Sequence, residues 1–599
     1  MGEDRGRISR MVEALKHRGP DGNAFSVEQG ASLGHARLAI LDPRPIGDQP
    51  MWNEDRTMAI VYNGEIFNYK ELIEDDRLVC KTGTDTEVIL KLFERYGMDF
   101  LPRLIGMFAF GIYDAEKEMW YLARDPSGIK PLFLAYPNGK LHFASEMRAL
   151  IGALPEKPAL NYTALSQYLR LQYVPGPDTL CEGITSLPPG TMLEWSVHHE
   201  ERRKIRTIIG DDEDFSSKED FMDRFPAIMD NVVRDHLISD KPVGIFLSGG
   251  MDSSIILHHM ANHAKGPIKT FTVRFDATAE EGAKRFNTDA DLAELTAKHY
   301  GTDHQEILLT AELFRDLYKD TARSLDQPNA DSVSVAQFLL SREAKKHVDV
   351  ILNGAGGDEL FGGYPRYRVA RILDALRHIP APLRALAGGI AGHPSDVMMM
   401  QPGPILAERL LTRSIDETTA ITKGNWFNPL ATTQLFEERF THLKDKFPVR
   451  AFMEFDRKLW LVDESLRLAD ATTMGHGVEG RVPFLDPRII GASLSTPDHW
   501  HVTMKRTKAL LKDTYRPILP EHLFTLDKAS FYPPLAKWIR REAAPLVENM
   551  LENKHIQELF DVEVVRDIFE KHKAHKQYGL HTLSTLVQLS NWLETVYNA

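Results

Sequence analysis

The chain has 599 residues, too many for one hydrophobic core, so two or three domains are expected. Its 43% hydrophobic and 26% charged residues are those of a soluble globular protein, and a net charge of −13 speaks against a nucleic-acid or membrane-surface partner. Two cysteines, Cys80 and Cys181, argue against a disulfide framework. No apolar run approaches transmembrane length and the charged opening MGEDRGRISRMVEAL has no signal-peptide core, so the cytoplasm is the expected location.

In chain order, short β patterns come first: SLGHARLAILD, TMAIVYNGEI and MWYLARD, separated by turn signals. An amphipathic helix is predicted over Thr86 to Tyr96 (TEVILKLFERY). Residues 155–195 carry YVPGPDTL and SLPPGTMLEW, a proline-dotted connecting segment, and GDDEDFSSKED (210–220) reads as a linker. From Phe221 helices alternate with strands at 243–247, 268–275 and 348–353, the pattern of a parallel sheet covered by helices. Residues 365–599 read as almost wholly helical.

The sharpest local signal is GIFLSGGMDSSII (244–256): a short buried strand, a turn over Ser248–Ser253, then a helix over Ser253 to Ala264. Paired glycines let a ligand approach the backbone, and amides opening a helix favour an anion. Asp252 repels phosphate unless a cation lies between them, which points to Mg²⁺ with a polyphosphate. The turn is not a Walker loop, lacking Gly-x4-Gly-Lys-Ser/Thr; it resembles the PP-loop of ATP pyrophosphatases. Ligands of open α/β sheets sit at the carboxyl ends of the strands. Two further loops meet that condition: the end of TFTVRF, where the backbone near Val273 could receive an adenine edge, and NGAGGDELFGGYPRY (353–367). Asp252 and Asp358 could then share the metal.

Together with SLDQPNADSVSVAQFLLSREA (324–344), GVEGRVPFLDP (477–487) and Lys528 in TLDKASFYPP, these segments resemble the synthetase domain of glutamine-dependent asparagine synthetases. The resemblance implies ATP binding by Leu247, Ser248, Gly249, Gly250, Asp252, Ser253, Val273 and Gly354, magnesium on Asp252 and Asp358, and a catalytic Lys528 that stabilises charge on the α-phosphorus during β-aspartyl-adenylate chemistry. Two positions depart from the family pattern: Ala355, where an acidic residue is frequent, and Ala471, where a basic one is common.

Towards the amino terminus, HRGPDG (17–22), GHARLAILD (34–42), YNGEIFNY (62–69), TGTDTE (82–87), GMFAFGIYD (106–114), ARDPSGIKPLF (123–133) and FASE (143–146) follow in an order that resembles the class II glutamine amidotransferase domain. By that resemblance Arg37 clamps the carboxylate of glutamine, Glu65 and Asp85 hold its ammonium, and Asn63 with the Gly64 N–H forms an oxyanion hole. The family's nucleophile is an N-terminal cysteine. Position 2 is Gly2 and the first cysteine is Cys80, while His17 comes about 12 residues earlier than in the family pattern, so the first strand is also missing. Retention of the clamp and the oxyanion-hole residues favours a true start upstream over a dead glutaminase. As written, the chain is expected not to hydrolyse glutamine but to be able to use ammonia.

The expected architecture is an α+β N-terminal-nucleophile sandwich (1–200), a linker (201–220), and an α/β parallel-sheet PP-loop domain with a helical C-terminal extension (221–599). The expected reaction is ATP-dependent amidation of aspartate by glutamine or ammonia, releasing AMP and pyrophosphate, in a possible homodimer without nucleic-acid or membrane partners. Ala355 and Ala471 keep a different carboxylate acceptor, amide- or lactam-forming, as the alternative; a non-catalytic subunit is disfavoured by intact Asp252, Asp358 and their glycine loops.

Overall fold

The structure, a computed structural model, describes the chain except residues 1, 29, 206–213, 278–282, 377–378, 381–382, 384–403, 444–447, 526–531 and 599. Its amino-terminal part is built on a six-stranded antiparallel sheet. The strands are β3 (Met51–Trp52), β4 (Met58–Ile66), β5 (Gly106–Asp114), β6 (Met119–Arg124), β10 (Thr191–Ser196) and β11 (His199–Lys204), in the order β11-β10-β6-β5-β4-β3. Nearly all of β5 is buried, because it lies between β4 and β6 with its two faces covered. This is why its sequence shows no polar–apolar alternation. The helix Asp85–Tyr96 starts one residue before the predicted Thr86, capped by the Thr84 side chain, and packs Val88, Ile89, Leu92 and Phe93 into the core on one sheet face. A separate hairpin, β1 (Gly22–Glu28) with β2 (Ala31–Arg37), stands apart from the six-stranded sheet, and the helix Gly2–Ala14 packs on β2. A third small sheet joins β7 (Phe133–Ala135), β8 (His142–Ala144) and β9 (Ile184–Ser186).

The carboxy-terminal part carries a five-stranded parallel sheet ordered β14-β13-β12-β15-β16: β12 (Val243–Phe246), β13 (Lys269–Phe275), β14 (Asp303–Leu309), β15 (Val350–Leu352) and β16 (Glu479–Arg481). The chain runs outward from β12 through β13 to β14, then returns to the other side of β12 for β15 and β16. The order therefore reverses between β12 and β15, where the turn 248–253 and the loop after β15 both emerge. The tail predicted to be almost wholly helical also carries one strand. β16 lies within it and extends the sheet beside β15, since three residues give no periodic signal and only the neighbouring strand makes them a strand.

The two parts meet across buried charge. Arg481, wholly buried at the end of β16, donates to Glu479 Oε1 (2.8 Å) and to the carbonyls of His236 (2.8 Å) and Ile238 (2.6 Å), and pairs with Glu65 Oε2 of β4 (3.4 Å). Nearby, Arg18 bridges Glu146 (3.1 Å) and Asp470 (2.8 Å), with Lys130 also on Asp470 (3.3 Å). Removing one partner of such a cluster leaves buried charge uncompensated. Arg481→Met is therefore expected to cost about 3–5 kcal/mol, read as a lower thermal midpoint, whereas exposed Arg203→Met leaves the midpoint unchanged.

Candidate active sites

A cavity of about 570 Å³ opens between β2, β4 and the start of the helix Asp85–Tyr96. Arg37, Asn63, Gly64, Glu65 and Asp85, five positions singled out from sequence, all line it, and Glu479 of the carboxy-terminal sheet reaches its wall. The Asn63 Nδ2 is buried without a hydrogen-bond partner, an N–H donor waiting for an acceptor, as an oxyanion hole requires. Gly64 has φ +155°, and a Cβ there would lie 2.0 Å from the Met107 carbonyl oxygen, so only glycine fits.

The two acids differ. Asp85 accepts from the Tyr62 hydroxyl (2.7 Å) and the Ile66 N–H (2.9 Å); burial pushes its carboxyl up to about 6 although both bonds pull it down. Burial also raises Glu65 well above the usual carboxylate range, and Arg481 offsets only part of that. Desolvated carboxyls of this kind gain most from an incoming ammonium. Arg37 is already engaged: Nη1 holds Asp48 (2.7 Å) and the Arg44 carbonyl (3.0 Å), and Nη2 holds the Asp42 carbonyl (2.6 Å). A bidentate grip on a carboxylate would require exchange of these partners. His35, unremarked within GHARLAILD, lines the same cavity as a neutral ring, its pKa lowered to about 4 by burial. Neither cysteine lines the cavity, and burial raises the Cys80 thiol.

The second site forms at the switch point. In the turn, the Ser248 and Ser253 hydroxyls lie 3.2 Å apart, and Ser253 Oγ donates to the Gly250 carbonyl (3.2 Å). Gly249 has φ +67°, and a Cβ on it would meet the Asp289 carbonyl at 2.2 Å. The helix Met251–His263 follows from Gly250, which offers no side-chain cap to its first amides. Leu247 N–H donates to the Phe271 carbonyl (2.9 Å), so that edge of β13 faces β12; two residues on, Val273 turns its backbone to the same side, beyond the end of β12.

The loop after β15 packs directly on this turn. A Cβ on Gly354 would lie 2.8 Å from Asp252 Cβ, one on Gly357 2.7 Å from Asp252 Cγ, and one on Gly363 1.6 Å from Asp358 Oδ1. These glycines bring Asp252 and Asp358 together, with a single ammonium, that of Lys508, contacting each at 2.5 and 2.7 Å. Paired carboxylates around one cation match what a magnesium site needs. Glu359 beside them is buried and pushed up to about 7, with Asp358 adding to the effect. Lys528 lies outside the described residues. Ala355 is partly buried, its N–H on Asn353 Oδ1 (3.0 Å), and Ala471 packs with Leu325 and Leu468, so each departure position is filled by a small apolar side chain. Sequence reasoning missed Lys508, Arg481 and Glu479. The last two stood inside the quoted GVEGRVPFLDP, but nothing in KRTKALLK marks Lys508.

Two family models match the two parts of the chain. The family model for asparagine synthase matches residues 225–594, and that for a glutamine amidotransferase domain matches residues 1–205. The chain is 30% identical to asparagine synthetase [glutamine-hydrolyzing] 1 of Bacillus subtilis (strain 168), over 98% of this chain and 93% of that one. It is 31% identical, with the same coverage, to a putative asparagine synthetase [glutamine-hydrolyzing] of Mycobacterium tuberculosis (strain ATCC 25618 / H37Rv). It is also 31% identical to asparagine synthetase B of Escherichia coli (strain K12), over 60% of this chain and 62% of that one. An amidotransferase part joined to a parallel-sheet nucleotide part defines a two-site carbon–nitrogen ligase. The chain belongs to the asparagine synthase family. No described helix is long and apolar enough to cross a membrane.

Because the glycine contacts set the second site, Gly363→Ala is expected to reduce ATP–pyrophosphate exchange on the order of 100-fold while glutamine binding at the first cavity persists, both measurable on one preparation.

Proposed function

We propose that the two sites serve one reaction, with nitrogen delivered from the cavity lined by Asn63 and Glu65 to an acyl-adenylate formed at the turn 248–253. The chain is an ATP-dependent ligase that amidates aspartate with nitrogen from glutamine. The observation that carries the site assignment is the convergence of Asp252 and Asp358 on one cation beside the open amides of a helix start. There a carboxylate oxygen of aspartate attacks the α-phosphorus of ATP and pyrophosphate leaves; ammonia then attacks the acyl carbon and AMP leaves. Asp252 and Asp358 would hold Mg²⁺, which supplies neutralisation of phosphate charge. Ser248, Gly249, Gly250 and Ser253 cradle phosphate, Leu247 and Gly354 line its approach, the Val273 backbone takes the adenine edge, and Lys528 supports the α-phosphorus.

In the first site, Glu65 and Asp85 take the ammonium of glutamine, Arg37 its carboxylate, and Asn63 with Gly64 the tetrahedral oxyanion. Free ammonia is the alternative nitrogen source in the same proposal. The different-carboxylate reading loses ground, since the named relatives point to aspartate. A homodimer and a cytoplasmic location belong to the same proposal, the former checked by light scattering.

With ATP and ammonium chloride, pyrophosphate release is expected to depend on aspartate; release with another acid and not aspartate would overturn the acceptor. Lys528→Ala is expected to suppress that release, and an unchanged rate would remove the lysine from the chemistry. Glutamine binding has its own pH dependence. The Asp85 carboxyl, raised to about 6, is ionised above that pH and neutral below it, and only the ionised form attracts the ammonium. Calorimetric affinity for glutamine is therefore expected to fall as pH drops through about 6, and Asp85→Asn should abolish that step.

A further inference from the structure

Lys508 precedes the helix Ala509–Tyr515 in a left-handed backbone conformation (φ +50°) that lysine rarely adopts, its N–H bonded to the Gly362 carbonyl (3.1 Å). From there its side chain runs into the interior. A Cβ on Gly363 would lie 2.5 Å from Lys508 Cε, so that glycine also leaves room for the lysine stem. The ammonium ends between Asp252 Oδ2 and Asp358 Oδ1, at 2.5 and 2.7 Å. Buried, paired on two sides and anchored on a strained backbone, it occupies the space between the two carboxylates.

Given the reading of Asp252 and Asp358 as metal ligands, that space is the one a divalent ion needs. Mg²⁺ requires ligand oxygens at about 2.0–2.1 Å, and an ammonium on the same oxygens would be strongly repelled by it. Two carboxylates and one lysine carry a single negative charge; adding a divalent ion alone would reverse it inside the protein. The several negative charges of a nucleoside triphosphate invert that balance and give the displaced ammonium an anion.

We propose that Lys508 is an electrostatic lock that keeps the Asp252–Asp358 pair closed to divalent cations until a nucleotide polyphosphate arrives, so that metal and nucleotide enter together. The test is Mn²⁺ titration of the full chain followed by electron paramagnetic resonance, with and without a non-hydrolysable α,β-methylene ATP analogue. Without nucleotide, Lys508→Met is expected to bind one Mn²⁺ per chain about tenfold or more tightly than the unsubstituted protein, and Lys508→Met/Asp252→Asn to lose that site. With the analogue present, the unsubstituted protein is expected to bind Mn²⁺ tightly too. Equal nucleotide-free binding by the unsubstituted protein and Lys508→Met would overturn the lock and leave the metal reading standing. Absence of Mn²⁺ binding even with the analogue would overturn the metal reading, and the lock with it. Should Lys508→Met fail to fold, the thermal midpoint of the unsubstituted protein decides: Mg²⁺ alone is expected to leave it unchanged and Mg²⁺ with the analogue to raise it. An equal rise with Mg²⁺ alone would overturn the lock.

Discussion

The contact on which the rest of the molecule depends is the wholly buried Arg481 between Glu65 and Glu479. Glu65 belongs to the antiparallel sheet and faces the glutamine-type cavity; Arg481 belongs to the last strand of the parallel sheet. The carbonyl of the same arginine accepts from the Asn353 N–H (3.0 Å), at the root of the loop that carries Asp358. One side chain and one backbone bond therefore join the two chemistries. Burying such a charge is costly unless it is partnered: Glu479 and the carbonyls of His236 and Ile238 take its Nε and Nη1, and Glu65 faces its Nη2 as an ion pair without a hydrogen bond, which ties the two sheets together.

The nucleotide site illustrates how much chemistry a fold can concentrate by leaving side chains out. Gly354, Gly357 and Gly363 make no polar side-chain contact, yet a methyl group on any of them would collide with Asp252 or Asp358. The loop is a mould for two carboxylates, and Lys508, entering from more than 140 residues downstream, closes it. Where Ala355 and Ala471 replace residues that are charged in the family pattern, the structure holds small apolar side chains packed against hydrophobic neighbours.

Much of this was legible in the chain itself. The turn Ser248–Ser253, the glycine loop and the ordered amidotransferase motifs are local signals, because backbone approach and helix-start amides depend on residues a few positions apart. The helix Asp85–Tyr96 was readable from its period, and β12 from a short apolar run ended by glycines. The tail's strand β16 was not, since three residues have no period and become a strand only through β15.

The sequence by itself pointed to the two chemistries and to the residues proposed to carry most of them: Asn63, Gly64, Glu65 and Asp85 on one side, Asp252 and Asp358 on the other. Only the tertiary structure decided which groups share space. It turned Arg37 onto Asp48 and the neighbouring carbonyls, brought Arg481 to Glu65, and set Lys508 between the two aspartates. The physical reason is range. Helix starts, glycine turns and strand periods are set by neighbours along the chain, whereas a buried ion pair is set by whichever segments the folded core brings within hydrogen-bond distance.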